Sequence, residues 1–302
     1  MSTIFEDLKE LKYLEPTTLK EACALLSEHR GKASLIAGGT HLIPLLQEGR
    51  VKPEYLINIR NIPSLDTIGE YSEFSEEGIK IGALAALFDI ARAALVHEKA
   101  VVLQEAIRLR ELRANKTRWA YYMSTLGGCL HSPQSAGDIA PALMILDAKA
   151  VVQGLQGWDT IPVEALFTLT DDDRCKILTE IRIPKQQESE IGFVYEKSFG
   201  TGGAPSLGAA VLLKLDIKHV FVEELRIVVG GAGPVPIESK EGVAVMKENE
   251  IEDHLIIEAA ELAADEVCGK SDGEIVERTR DLIEEAIRHA IDRSIGDFAL
   301  GY

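Results

Sequence analysis

Adjacent glycines at two places in this chain have the type and setting that could bind a phosphate. Gly38-Gly39 stands between the apolar run Ala33–Ala37 and a helical run that begins at His41. Glycine lets backbone N–H groups approach an anion closely, and the N-terminus of a following helix adds positive potential. Thr40 could add a hydroxyl donor. The same residues also suit a tight strand-to-helix turn that binds no ligand.

The second glycine turn is Thr125–Gly128, which is followed by Ser132 and Asp138. Asp138 stands three residues before Pro141, so its carboxylate could cap the helix that begins there. It could equally accept hydrogen bonds from ribityl or ribose hydroxyls, as acidic residues do in dinucleotide sites. A pyrophosphate held from both sides needs close backbone approach twice, and the pair of turns therefore favours a dinucleotide site.

The common nucleotide-binding fingerprints are absent from the sequence. The nearest run to Gly-x-Gly-x-x-Gly is Gly200–Pro205, which has proline at the third glycine position and precedes a strand-like segment. There is also no Gly-x-x-x-x-Gly-Lys followed by Ser or Thr. These two observations argue against a Rossmann dehydrogenase and a P-loop NTPase.

Charge and hydropathy exclude two further classes of protein. The chain has 32 basic and 49 acidic residues, for a net charge of −17, whereas nucleic-acid binding depends on clustered Lys and Arg. The N-terminus lacks the basic start and apolar run of a signal peptide, and no stretch approaches the ~20 apolar residues of a membrane span. We therefore expect a cytoplasmic protein with no nucleic-acid partner.

Cysteine and histidine spacing predicts no metal or iron–sulfur site within this chain. No Cys-x-x-Cys pair occurs, and the histidines show neither paired metal spacing nor a catalytic triad. The four cysteines are Cys23, Cys129, Cys175 and Cys268. We therefore predict no catalytic side chain, and any iron–sulfur cluster would belong to a partner.

Hydrophobic periodicity predicts an α+β protein that divides near Asp173, with one domain over residues 1–173 and a second over residues 174–302. The first would have lobes of about 1–60 and 61–173. Helices are predicted over residues 17–26, 41–47, 85–97, 100–112, 141–146, 251–267 and 273–291. Strands are predicted over residues 33–37, 55–59, 148–153, 160–163, 177–183, 192–196, 206–215 and 221–229, with a hairpin over 65–84. The second domain thus has its strands first and its helices last.

A series of short motifs between residues 30 and 240 follows the order of one family. The motifs are Ala37–Thr40, Tyr55–Ile59, Ile79–Ala83, Thr125–Gly128, Ser132-Pro133, Gly137-Asp138, Leu178–Pro184, Tyr195–Lys197 and Arg226–Pro236. This pattern resembles the FAD-binding medium subunits of molybdenum hydroxylases, such as the flavoprotein subunits of xanthine dehydrogenase and carbon monoxide dehydrogenase. The resemblance implies a two-lobed FAD-binding domain of the vanillyl-alcohol-oxidase type. A smaller domain with an antiparallel sheet and helices would follow it.

The resemblance also implies a set of FAD-binding residues. The two turns would hold the pyrophosphate, Ser132 and Asp138 the ribityl region, and the strand at Ile177 and Leu178 would pass the flavin ring near Lys197. The residues at the turns are Ile36, Ala37, Gly38, Gly39, Thr40 and His41 on one side and Thr125, Gly127, Gly128 and Cys129 on the other. Without a ligand, Leu178 would be an ordinary core residue and Lys197 a solvated strand end.

The function implied by the resemblance is electron transfer within a complex. A molybdopterin-binding large subunit would oxidise a small substrate, a small subunit with 2Fe-2S clusters would relay the electrons, and FAD on this chain would pass them to NAD or another acceptor. His41 and Cys129 stand where the family commonly has Asp and Asn, which changes the surroundings of the cofactor. The alternative is a scaffold subunit of such a complex that no longer binds FAD.

Overall fold

A computed structural model of the chain describes residues 11–73, 76–113, 122–131, 137, 139–169, 175–186, 191–198, 206–216, 218, 220–269 and 273–299. The chain forms two compact units, and each is assembled from separate stretches of sequence. The first unit comprises residues 1–93, 114–132 and 149–183, and the second comprises residues 94–113, 133–148 and 184–302. The domain boundary predicted near Asp173 lies outside the described residues and stays a prediction.

The first unit contains a small parallel sheet in the order β1-β3-β2. The strands are β1 (Lys12–Leu14), β2 (Ala33–Ile36) and β3 (Tyr55–Asn58). Helix α1 (Leu19–Glu28) begins after Thr18, whose side chain accepts a hydrogen bond from the Glu21 N–H. The helix packs its apolar face, with Ala22, Cys23 and Leu26, into the same core as Ile57 of the central strand. β2, in the same sheet, ends at Ile36, just before the first glycine turn.

The second sheet of this unit has the order β4-β5-β8-β6-β7. The strands are β4 (Ile68–Glu73), β5 (Glu76–Gly82), β6 (Lys149–Gly154), β7 (Gly157–Pro162) and β8 (Ile177–Pro184). A 3-10 helix, Val163–Phe167, follows β7. β8 is the central strand, and it pairs antiparallel with β6. Burial of Ile177, Leu178, Ile181 and Ile183 anchors it in the core.

Short helices of the first unit carry the residues around the two turns. They are α2 (Leu42–Gln47), α3 (Leu87–Ile90) and α6 (Leu126–Leu130). α2 and α6 have only six and five residues, so their dipoles add little potential, and binding at their N-termini depends on individual N–H groups. The helix dipole expected from the sequence at the first turn is therefore weaker than the pattern suggested.

The second unit is built on an antiparallel sheet in the order β12-β11-β10-β9. The strands are β9 (Ile191–Ser198), β10 (Leu207–Leu215), β11 (Val222–Gly230) and β12 (Ile237–Glu238). The helices are α4 (Ala94–Lys99), α5 (Val101–Arg113), α7 (Ala140–Ile145), α8 (Glu241–Met246), α9 (Asp253–Cys268) and α10 (Gly273–Ala299). Alternate residues of β10 join a core with buried alanines of α9 and α10, since small side chains let helices lie close to a sheet.

Arg226 of β11 ties the opposite side of this sheet to α7. Its guanidinium donates two hydrogen bonds to Glu238, at 2.7 and 3.1 Å, and a third to Asp147 at 2.9 Å. It also donates to the carbonyls of Ile145 and Met144 at the end of α7. Bidentate pairing with the Glu238 carboxylate raises the pKa of the Arg226 guanidinium, so the guanidinium itself stays protonated.

The predicted elements agree with the structure except at a few places. The mixture of helices and sheets confirms the α+β class, but the single helix predicted over residues 85–97 is wrong. Ala86 is extended and forms a bridge with Thr125, and the helical residues are divided between α3 and α4. Pairing with a distant segment thus overrides local helix propensity. Among the described residues, no helix is long and apolar enough to cross a membrane.

Candidate cofactor-binding site

The first glycine turn presents backbone N–H groups that the protein itself does not use. Gly39 has a φ of +72°, in the left-handed region that favours glycine. In the described part of the chain, the N–H groups of Gly38, Gly39 and Thr40 donate no hydrogen bond. All three residues are half-buried. Successive N–H donors around a left-handed residue form a concave set that suits an anion.

The second glycine turn differs from the first, since the N–H groups from Leu126 to Cys129 are paired within the protein. Thr125 caps α6, and its hydroxyl accepts a hydrogen bond from the Gly128 N–H at 3.2 Å. The other bonds run from Leu126 N–H to Ala85 O at 3.0 Å, from Gly127 N–H to Ala83 O at 2.8 Å and from Cys129 N–H to Thr125 O at 2.9 Å. Gly128 is exposed, whereas Thr125 is buried.

The structure brings the two predicted turns into contact within the first unit. Thr40 Oγ1 lies 3.0 Å from Ser124 Oγ, although these residues are 84 positions apart in the sequence. A Cβ added to Gly38 would overlap with the carbonyl oxygen of Met123. Gly38 is therefore required because one backbone segment lies directly against the other, just before Thr125.

The other residues predicted for the first side stay close to this contact. Ile36 is the last residue of β2, Ala37 follows it, and His41 occupies the N-cap position of α2 without a side-chain capping bond. On the second side, Cys129 is buried inside α6. Ser132 and Asp138 lie outside the described residues.

Ile177 and Leu178 begin the central strand β8 of the first unit, next to an irregularity that the sequence did not reveal. Val152 of β6 pairs with Leu178 while Val151 pairs with Glu180, so Thr179 is an extra residue in β8. The Thr179 hydroxyl donates to Val151 O at 3.0 Å. Such a bulge redirects neighbouring side chains, and bulges are enriched next to active sites.

Leu178 also lines a cleft of about 210 Å³ in the first unit. His131 at the end of α6, Thr168 and Lys176 form the polar part of its wall, and aliphatic side chains form the rest. His131 Nδ1 donates to the Gly127 carbonyl at 2.9 Å, which leaves the other ring nitrogen for a second interaction. Lys176 pairs with Asp159 at 2.9 Å.

Lys197 lies in β9 of the second unit, opposite Gly208 of β10. In the described part of the chain, His, Cys, Asp and Glu side chains form no group of three or more that could hold a metal ion. The sequence reasoning missed Ser124 and the bulge at Thr179. The only sequence signal for Ser124 is that it directly precedes the second turn.

Comparisons with known proteins agree on one family. Residues 9–186 match the family model described as the FAD binding domain in molybdopterin dehydrogenase. The carbon monoxide dehydrogenase medium chain of Hydrogenophaga pseudoflava is 30% identical over 240 residues, which cover 76% of this chain and 78% of that protein. The glyceraldehyde dehydrogenase medium chain of Sulfolobus acidocaldarius is 25% identical over 267 residues, which cover 87% and 90% of the two chains.

Solved structures show the same fold. Carbon monoxide dehydrogenase from Hydrogenophaga pseudoflava, in a form that lacks the Mo-pyranopterin moiety of its cofactor, superposes with a TM-score of 0.81 at 24% identity. The match covers 94% of this chain and 98% of that one. Quinoline 2-oxidoreductase from Pseudomonas putida 86 also gives a TM-score of 0.81, at 19% identity, with the same coverage. These matches confirm the predicted fold.

Proposed function

This chain belongs to the family of FAD-binding domains of molybdopterin dehydrogenases, and from that premise we propose that it is the electron-transfer subunit of a cytoplasmic molybdenum hydroxylase complex. It is an FAD-dependent oxidoreductase subunit. Bound FAD supplies the redox chemistry that side chains lack, including hydride exchange with a nicotinamide. The electrons would reach this subunit from partner iron–sulfur clusters and leave it to NAD or another acceptor.

The observation that carries this proposal is the contact between the two glycine turns inside the region that matches the family. A pyrophosphate has oxygens that only accept hydrogen bonds, so its site must supply donors. The unpaired N–H groups of Gly38, Gly39 and Thr40 meet that requirement on one side. The Thr125 hydroxyl and the exposed Gly128 N–H would contribute from the other side after their mutual hydrogen bond opens. The residues present therefore fit the cofactor.

The flavin ring would lie along the start of β8. In this proposal the segment Ile177-Leu178 offers a backbone N–H beside the bulge at Thr179, and Leu178, which lines the cleft, offers an apolar surface. Ser132 and Asp138 would hold the ribityl chain, and Lys197 is assigned to the ring as the family resemblance implies. All of these residues bind and orient the cofactor, so none needs to act as an acid, a base or a nucleophile.

The partners would be a molybdopterin-binding large subunit and a small subunit with 2Fe-2S clusters. Two curated relatives are named medium chains, a name that implies a larger and a smaller companion. The cysteines of this chain are separate from one another, and Cys23, Cys129 and Cys268 are buried. The clusters would therefore be held by the small subunit.

The direct test is the visible absorption spectrum of the purified chain before and after addition of FAD, with chromatography of any released cofactor. We expect oxidised-flavin bands and release of FAD. A matched pair of variants locates the site: Gly39→Ala and Gly49→Ala both force alanine into a positive φ, of +72° and +67° respectively. Only Gly39→Ala should lose FAD, because only that residue belongs to the turn. Equal retention of FAD by both variants would contradict the assignment.

The scaffold alternative has one specific observation in its favour, which is that the N–H groups from Leu126 to Cys129 at the second turn are paired within the protein. A scaffold subunit would assemble with its partners yet remain colourless. If the chain binds no FAD alone or in the reconstituted complex, while Gly39→Ala assembles as well as the unmodified chain, the scaffold function is the better account.

A further inference from the structure

Ser124 connects the two glycine turns through its side chain. Its Oγ lies 3.0 Å from Thr40 Oγ1, and the residue is only 5% exposed. Its backbone is also held, because its carbonyl accepts a hydrogen bond from the Leu87 N–H at 2.9 Å. Met123, directly before it, lies against Gly38. The backbone that carries the Ser124 hydroxyl is therefore held in place by neighbouring segments.

The direction of this hydrogen bond matters for an anion at the first turn. Either oxygen could be the donor in the pair. A phosphate oxygen can only accept, so the Thr40 hydroxyl can bind it only by donating its proton to that oxygen. The Thr40 oxygen is then an acceptor toward Ser124, and Ser124 must donate. Hydrogen bonds arranged head to tail in this way strengthen one another.

We propose that Ser124 is a positioning residue for the cofactor pyrophosphate. It donates its hydroxyl proton to Thr40 Oγ1 and thereby orients the Thr40 proton toward the phosphate, although Ser124 itself need not touch the cofactor. This inference rests on the proposed function, since it presumes that FAD binds at the first turn. The hydrogen bond that joins the two turns thus comes from Ser124, a side chain that belongs to neither glycine motif.

A double-mutant cycle on FAD affinity tests the inference with the full-length chain. We expect Ser124→Ala to raise the Kd of FAD about fivefold in the unmodified background, the typical effect of one lost hydrogen bond. In a Thr40→Val background the same change should alter the Kd by less than about 1.5-fold, since Thr40 no longer has a hydroxyl to orient. A purely structural role of Ser124 would give the same factor in both backgrounds.

Ser239→Ala is the matched control. Ser239 is also a buried serine, and its hydroxyl donates to Glu266 at 2.7 Å in the second unit. Its loss should lower the thermal midpoint without changing the Kd of FAD. If Ser124→Ala does not fold, Ser124→Cys replaces it, because a thiol preserves the volume but donates weakly.

The possible failures are distinguishable. An unmodified chain that binds no FAD overturns the proposed function and this inference together. A chain that binds FAD, but in which Ser124→Ala has no effect or has an equal effect in both backgrounds, overturns only the role of Ser124.

Discussion

The two glycine turns share a sequence pattern but differ in what their backbones do. At Gly38-Gly39 the N–H groups are half-buried and unpaired within the described chain, whereas at Gly127-Gly128 the N–H groups from Leu126 to Cys129 all have partners. The first turn is therefore a donor surface and the second is a packed junction. A diglycine motif indicates close backbone approach, but it does not say whether the approaching group is a ligand or another part of the protein.

The difference has a physical cause in the surroundings of each turn. The first precedes α2, which has no buried residue, and Gly38, Gly39 and Thr40 are themselves only half-buried. The second begins α6, in which Leu126 and Cys129 are buried and the backbone bonds to Ala83 and Ala85. Buried N–H groups need partners inside the protein, because an unsatisfied one costs about 1–3 kcal/mol. Half-buried ones can use water or a ligand.

Gly38→Ala should have the largest effect, because it breaks the contact between the turns. The new Cβ would overlap with the Met123 carbonyl, a backbone atom that cannot rotate away. We expect a loss of about 3–5 kcal/mol in the free energy of unfolding, at the high end for a single substitution, with loss of FAD binding. Chemical denaturation measures the first effect and flavin absorbance the second.

Gly69→Ala is the control for Gly38→Ala, since a Cβ at this strand position meets nothing within 4 Å. It should leave the free energy of unfolding unchanged or raise it by ~0.5 kcal/mol, because alanine lowers the conformational entropy of the unfolded chain. If Gly38→Ala is as harmless as Gly69→Ala, then the two turns are not in contact in solution.

Gly127→Ala should lower the stability of the protein more than it lowers the affinity for FAD. Its Cβ would lie 3.0 Å from both the Cβ and the carbonyl oxygen of Ala83, so the segments must separate slightly. We expect a cost of about 1–3 kcal/mol, as for overpacking of a core. The Kd of FAD, measured on the folded fraction, should change less than in Gly39→Ala. Adding Ala83→Gly should restore part of the lost stability.

A stronger loss of FAD affinity in Gly127→Ala than in Gly39→Ala would contradict the proposed difference between the two turns. The second turn would then be the main binding element, and the first would be an ordinary strand-to-helix connection. Calorimetric titration of both variants with FAD distinguishes these outcomes, because it measures the affinity separately from the fraction of folded protein.

Local features of the site could be predicted from the sequence. The run Ala33–Ala37 consists of apolar and small residues, Gly38-Gly39 interrupts it, and a helical run follows, and the structure has β2, the turn and α2 in that order. Thr125 is the N-cap of α6, a role that threonine favours, although the sequence alone did not assign it to this residue. These features depend on neighbours within a few positions, which the sequence displays directly.

Features that depend on distant partners could not be predicted. Ala85 and Ala86 have strong helix propensity, yet Ala86 pairs with Thr125 and stays extended. The hydrogen bond between Thr40 and Ser124, and the extra residue Thr179 in β8, depend on strand pairing and chain packing across long separations. Whether an N–H in a glycine turn is paired is also a property of the packed structure, so the contrast between the turns has no counterpart in the sequence pattern.

Thr125→Val should have the smallest effect on stability and tests the part of the second turn that could still reach a ligand. Valine keeps the shape but removes the hydroxyl that accepts from Gly128 N–H, so we expect a loss of about 1 kcal/mol from the missing cap. Thr18→Val removes a similar cap from α1, where the hydroxyl accepts from Glu21 N–H at 3.2 Å. Both variants should lower the thermal midpoint similarly, but only Thr125→Val should raise the Kd of FAD. Equal FAD affinity in the two variants would mean that Thr125 serves only as a cap, and that the first turn alone supplies the donors for the pyrophosphate.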